Sequence, residues 1–256
     1  MTSLYSLILC FHVIAGATGL IVFWLPVFLR KGGRDHRRYG KMFAYAMYVA
    51  GIAGMVMASS WLMAPQMFRP ELATVAPEDL PARILKVRLM GYFLAMLGIL
   101  LIANVRHGVL VLRGRDDRSA LRRPTHLLLV FLLIASGVLA LVVGLRYEML
   151  LLKIFSGVSL VNGMGMLFYC FKKSLTRMEW WTEHASNLIA AGIGAHTAFL
   201  VFGTRRFLGD LIPANYQILP WILPALVGVP ATLLVTRHYR RKFNPAPTLQ
   251  SAKSGV

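Results

Sequence analysis

The chain has 256 residues, 57% of them hydrophobic and only 15% charged, with a mean hydropathy of +0.62. A water-soluble domain carries about 25% charged residues, so this composition excludes one and points to a polytopic membrane protein. The net charge of +18 would suit nucleic acid, but the cations fall between apolar segments. That pattern excludes a nucleic-acid partner and predicts contact with anionic lipid headgroups.

Seven apolar stretches, 3–29, 42–63, 87–112, 126–145, 149–171, 183–203 and 218–236, are each long enough for a helix to cross about 30 Å of hydrocarbon. The fold class is therefore all-α, a single seven-helix transmembrane domain over residues 1–243. Residues 244–256 (NPAPTLQSAKSGV) have the small, polar, proline-containing makeup of a disordered tail. Twenty of the 28 Lys and Arg lie in alternate connections and the tail, against seven in the others and Lys153 inside span five. The asymmetry predicts an amino terminus outside and a carboxyl terminus in the cytoplasm of a cell's inner or plasma membrane.

In chain order, span one carries His12 followed by Gly16 and Gly19. The connection at 64–86, with Pro65, Pro70, Pro77 and Pro81, is predicted to be an exposed external loop. Span six carries His184 at its inner mouth and His196 in its apolar middle. Ser186, Ala190, Gly194 and Ala198 recur four apart there, a small-residue stripe suited to close helix packing in lipid. Span seven carries Pro224 and Pro230, each of which removes a helical hydrogen bond and should kink it. Cys10 and Cys170 are expected near opposite faces, so no disulfide is expected.

An ionisable group inside a membrane is expensive, which makes His12 and His196 the first site hypothesis. His12 is nine residues from Ser3 and His196 nine from Arg205, so each is expected roughly 13 Å below the outer surface. Gly16 and Gly192 lie four positions from the two histidines on their own helix faces, and missing side chains there would leave a slot for a flat macrocycle. Two neutral imidazoles are suitable axial ligands for haem b. The favoured reading is an electron-transfer protein with a haem between His12 and His196, exchanging electrons with a quinone or another redox partner. A transporter of protons or a small solute through a histidine relay is the rival, and a ligand-free assembly factor is the third.

A weaker inner set comprises His107, His126 and His184, which close span three, open span four and open span six. A second haem there is disfavoured because His184 and His196 are twelve residues apart, about 120° round one helix. Glu179 and Glu183, beside Trp180 and Trp181, are expected in an interfacial belt. No metal beyond a haem iron is expected, since the chain has no HExxH and no histidine-rich cluster.

These blocks also carry a resemblance. HVIAGATG in span one, DHRRYGK before span two, Glu183 through AHTAF, and a proline-bearing last span followed by RHYRRK resemble a loose family of bacterial multi-pass membrane proteins of unknown function. The resemblance covers most of the chain. It implies a compact seven-helix bundle and no particular reaction.

Overall fold

The computed structural model of the chain describes residues 3–114, 117–203 and 218–243. Arg115, Arg205 and Arg206, and the expected disordered tail 244–256 with its Lys253, lie outside the described residues. Among the described residues every regular element is a helix. Seven are long and apolar enough to cross a membrane: α1 (Ser3–Phe28), α2 (Arg34–Met63), α3 (Leu80–Arg113), α4 (Pro124–Arg146), α5 (Leu150–Phe171), α6 (Glu179–Ala198) and α7 (Leu219–Phe243). The chain is an all-α, multi-pass membrane bundle.

Several helices outrun the apolar stretches that announce them. α2 starts at Arg34 rather than 42, α3 at Leu80 rather than 87, and α6 at Glu179 rather than 183. Hydropathy registers the bilayer, whereas a helix continues into the interface wherever good helix formers and charged side chains permit. The 34 residues of α3 make about 50 Å of helix, more than the hydrocarbon needs. The segment read as an exposed loop is partly folded too. It forms a short helix, Pro65–Phe68, and a 3-10 turn, Pro70–Thr74, whose Leu72 is buried.

Two expectations about the last spans change. α6 stops at Ala198 and passes into a π turn, Phe199–Gly203, so the sixth span is not one regular α-helix. Its closely packed stripe lies one position over from the predicted one. Asn187, Ala191 and Gly192 are buried, whereas Gly194 and Ala198 are exposed and a Cβ on Gly194 would touch nothing. α7 runs from Leu219 to Phe243 with Pro224 and Pro230 inside it, the two positions at which a kink is expected.

α3 occupies the middle, packed along α2 and α6, with a smaller contact to α4. α1 packs along α2, α7 along α6, and α4 pairs with α5 as a hairpin. Glycines set how closely the helices approach. A Cβ on Gly91 of α3 would lie 2.9 Å from the Ala58 carbonyl oxygen of α2, and one on Gly163 of α5 would lie 2.6 Å from Ile134 of α4. In lipid, where water drives no association between helices, this close van der Waals contact is a main source of stability. Fully buried side chains such as Met47, Phe93, Met96, Val105 and Leu133 fill the core.

The basic connections gather at one end of the bundle. There the last turn of α1 exposes carbonyls that lack helical donors. Lys31 Nζ donates to Pro26 O (2.8 Å) and His36 Nδ1 to the same oxygen (3.1 Å), which folds the connection back on α1. Gly32, at φ +76°, supplies the left-handed turn that a side chain would strain.

Gly91→Leu should force α2 and α3 apart and lower stability by about 1–3 kcal/mol. Gly157→Leu, where a Cβ meets nothing within 4 Å, should be close to neutral. Thermal unfolding of the two variants in the same detergent checks the contrast.

Candidate metal centre

Near the basic end, α3, α4, α5 and α6 bring five polar side chains together. α4 starts at Pro124, whose fixed φ and missing N–H suit a first helical position. His126 therefore sits in the first turn and points into the bundle. It meets His107 from the last third of α3, and both are 0% exposed. His107 Nδ1 and His126 Nε2 are 3.0 Å apart, with the rings stacked at 5.2 Å between centroids. Cys170, in the last turn of α5, is buried beside them. One ligand atom from each of His107, His126 and Cys170 lies within 4.8 Å of the other two.

α6 adds a carboxylate. A Cβ on Gly108 would stand 3.0 Å from Leu188 and 3.3 Å from Asn187, so glycine lets α6 approach α3 just beyond His107. Glu183 Oε1 then lies 3.1 Å from His107 Nε2. The two are close enough for an ion pair but not aligned as a hydrogen bond, since Nε2 has no directed acceptor. Asn187 Nδ2 donates to Glu183 Oε1 (3.0 Å) and fixes the carboxylate. His184, on the next position, donates from Nδ1 to Gly108 O (2.8 Å).

Proton positions follow from these contacts. The carboxylate favours the tautomer of His107 that is protonated at Nε2. Its Nδ1 then accepts from His126 Nε2–H, and His126 Nδ1 is left with a bare lone pair. That atom is buried without a partner among the described residues, as is the Tyr169 hydroxyl, whose ring stands edge-on to His107 at 5.7 Å. Native proteins seldom leave such groups unsatisfied, so this arrangement calls for an explanation.

A short cover closes the basic end. The 3-10 segment Arg118–Arg122 places Leu121, 0% exposed, over the cluster, and the Cys170 thiol points at its carbonyl oxygen (3.7 Å). Arg118 binds the carbonyls of Tyr169 (3.4 Å) and Lys173 (3.2 Å) at the end of α5. Asp117 caps the segment by accepting from Ser119 N–H (3.0 Å), and its hydrogen bonds with Ser119 hold the carboxyl below the usual aspartate range.

The histidines expected to form the primary site are not joined by any contact. His12 Nδ1 donates to Ala50 O of α2 (2.9 Å). His196 Nδ1 donates to Gly192 O of its own helix (2.7 Å), and its ring rests against Phe23 (5.4 Å) and Trp24 (5.6 Å). Neither glycine forms a slot between them. A Cβ on Gly192 would fall 2.2 Å from the Phe23 ring, which already fills that face, and one on Gly16 would meet open space. α1 packs along α2 and touches α6 only over a short stretch near Phe23, so His12 turns to α2. The inner set differs. His107 and His126 are in direct contact, and His184, one residue beyond Glu183, bonds to Gly108 O instead.

Cys170 is legible in the sequence as a thiol at the inner end of span five and Glu183 as an interfacial carboxylate, neither of them as part of a cluster. Shared depth with His107 and His126 was the available signal for both. No protein family model, no curated protein and no solved structure matches this chain, so the chemistry of the site rests on its geometry.

His107→Ala should orphan the buried Nε2 of His126 and lower stability by about 1–3 kcal/mol beyond the loss of packing. His12→Ala breaks one carbonyl contact and should lower it by about 0.5–1.5 kcal/mol. Unfolding midpoints in detergent, ranked for the two variants, measure the difference.

Proposed function

We propose that this membrane protein holds a single transition-metal ion between α3, α4 and α5, with His107, His126 and Cys170 as ligands. The observation that carries the reading is the convergence of these three side chains, all buried, from three helices within 4.8 Å. A tetrahedral ion with bonds of about 2.0–2.1 Å to nitrogen needs its two imidazole nitrogens roughly 3.3 Å apart. His107 Nδ1 and His126 Nε2 stand at 3.0 Å, so an ion in place of the shared proton would widen that pair by a few tenths of an ångström as the rings turn toward it, with the Cys170 thiolate drawn in from within 4.8 Å. Two imidazoles and a thiolate suit a borderline or soft ion, Zn²⁺ first and Cu⁺ second.

Glu183 then has a defined part. A carboxylate on the far nitrogen of a ligating histidine fixes its tautomer and raises its basicity. Three protein ligands leave a fourth position, where a bound ion acts as a Lewis acid or activates water. The positive-inside asymmetry supports assigning the basic end, and with it the centre, to the cytoplasmic half of the membrane.

A second reading, a proton relay, is supported by the line of groups from Glu183, 3.1 Å from His107 Nε2, through His107 to His126. Metal analysis separates the two. Protein purified without chelator should carry about one ion per chain, lost in Cys170→Ser and His126→Ala and retained in His12→Ala and His196→Ala. Glu183→Gln should weaken metal affinity by on the order of 10- to 100-fold. Replacement by Co²⁺ should give thiolate-to-metal absorption that Cys170→Ser abolishes. Protein that stays metal-free after exposure to Zn²⁺, Cu⁺ and Co²⁺ would overturn the reading in favour of the relay.

A further inference from the structure

α5 and α6 both border the cluster, yet they do not pack along each other as α4 and α5 do. Between them lies a crevice of about 200 Å³, walled by Val161 and Gly165 of α5 and floored by Asn162, Glu183, Ser186 and Asn187. Its α5 wall belongs to the face that carries Val161, Met164 and Phe168, all more than half exposed on the outside of the bundle. The crevice therefore opens sideways, toward lipid. Glu183 opens the apolar run of α6, while Asn162 lies nine residues before the end of α5 at Phe171, about 13 Å along its axis, so the crevice starts at the interface and reaches into the hydrocarbon.

The floor is polar where polar groups are expensive. Among the described residues Asn162 bonds only to its own helix, at Val158 O, so its amide oxygen still has capacity to accept. Glu183 is the one charged member of the floor. Its side chain is 25% exposed on the crevice side, while its Oε1 reaches the fully buried His107. A lone carboxylate beside amide oxygens attracts a hydrogen-bond donor and repels phosphate or carboxylate. The volume equals roughly seven waters at about 30 Å³ each. It admits a small head group and leaves an attached tail in the bilayer.

We propose that this crevice is a lateral port to the buried centre and that it takes the hydroxyl head of an uncharged, bilayer-soluble amphiphile such as a long-chain alcohol. Glu183 accepts from the hydroxyl, Asn162 and Ser186 flank it, and the tail lies along Val161 among the surrounding lipids. The port serves the metal centre proposed above, but its occupancy does not require the metal and is tested without it.

The test uses the full chain in phosphatidylcholine nanodiscs and three photoreactive probes of equal length: a primary alcohol, a carboxylic acid and an alkyl phosphate. The alcohol should crosslink to peptides containing 161–166 or 183–187, and unlabelled alcohol should compete. Gly165→Leu, at a position where a Cβ meets nothing within 4 Å, should plug the port and cut that labelling by about tenfold, equivalent to roughly 1.4 kcal/mol. It should leave the metal content unchanged. Asn162→Leu, which strips the polar floor on α5, is the second variant and should also reduce labelling. Equal labelling by the acid or the phosphate would overturn the proposal, as would labelling indifferent to both variants. Cys170→Ser protein should still bind the alcohol. Selective labelling of the unsubstituted chain, should that chain take up no metal, would retire the metal centre and keep the port, and metal binding without selective labelling would do the reverse.

Discussion

Buried apolar clusters and interhelical hydrogen bonds between α3 and α4 hold two parts of this bundle together. α1, α2, α3, α6 and α7 form one packed group and the α4–α5 hairpin the other, and α3 shares less surface with α4 than with α2 or α6. Polar ties bridge the seam along its length. The Tyr92 hydroxyl donates to Ser136 O (2.6 Å), Arg106 Nη2 to Thr125 Oγ1 (3.0 Å), and His107 pairs with His126 (3.0 Å). In hydrocarbon such groups have few other partners, so each tie specifies register as well as adding stability.

The candidate site follows from that seam. His107 belongs to the larger group, His126 and Cys170 to the hairpin, and Glu183 reaches across from α6. A metal ion ligated by the first three would fasten the hairpin to the body at the basic end. The crevice between α5 and α6 is the same seam seen from the opposite side, where the two helices meet near Trp180 and Glu179 but do not pack along each other. One structural fact, a hairpin attached along one edge, thus accounts for a buried centre and for an opening beside it.

Apolar runs sufficed to locate all seven helices, because the membrane imposes a minimum length on each. They did not locate the ends of α2, α3 and α6, since basic turns such as Arg34–Lys41 continue the helix beyond the bilayer. The common depth of His107, His126 and His184 was legible from their places at span ends. Their side-chain directions were not, nor was the choice of neighbours among seven helices. That choice separates His12, bonded to Ala50, from His196, set against Phe23 and Trp24. It also brings Cys170 and Glu183 to His107. The glycines were legible as small residues, but whether each meets a neighbour, as Gly108 does, or lipid, as Gly194 does, depends on rotation about the helix axis.

The three proposed ligand positions lie on consecutive helices, between residues 107 and 170, joined by the short cover Arg118–Arg122 and by the hairpin turn. Short connections make their encounter a local event with little loop-closure entropy to overcome. During insertion from the amino terminus, the centre is complete in outline once α5 has entered the membrane. α6 follows, and Glu183 is the last member to arrive. The order of synthesis therefore separates forming the ligand set from setting its charge: a nascent chain ending after Lys173 already contains a cup, and the next helix supplies the carboxylate that fixes its protons.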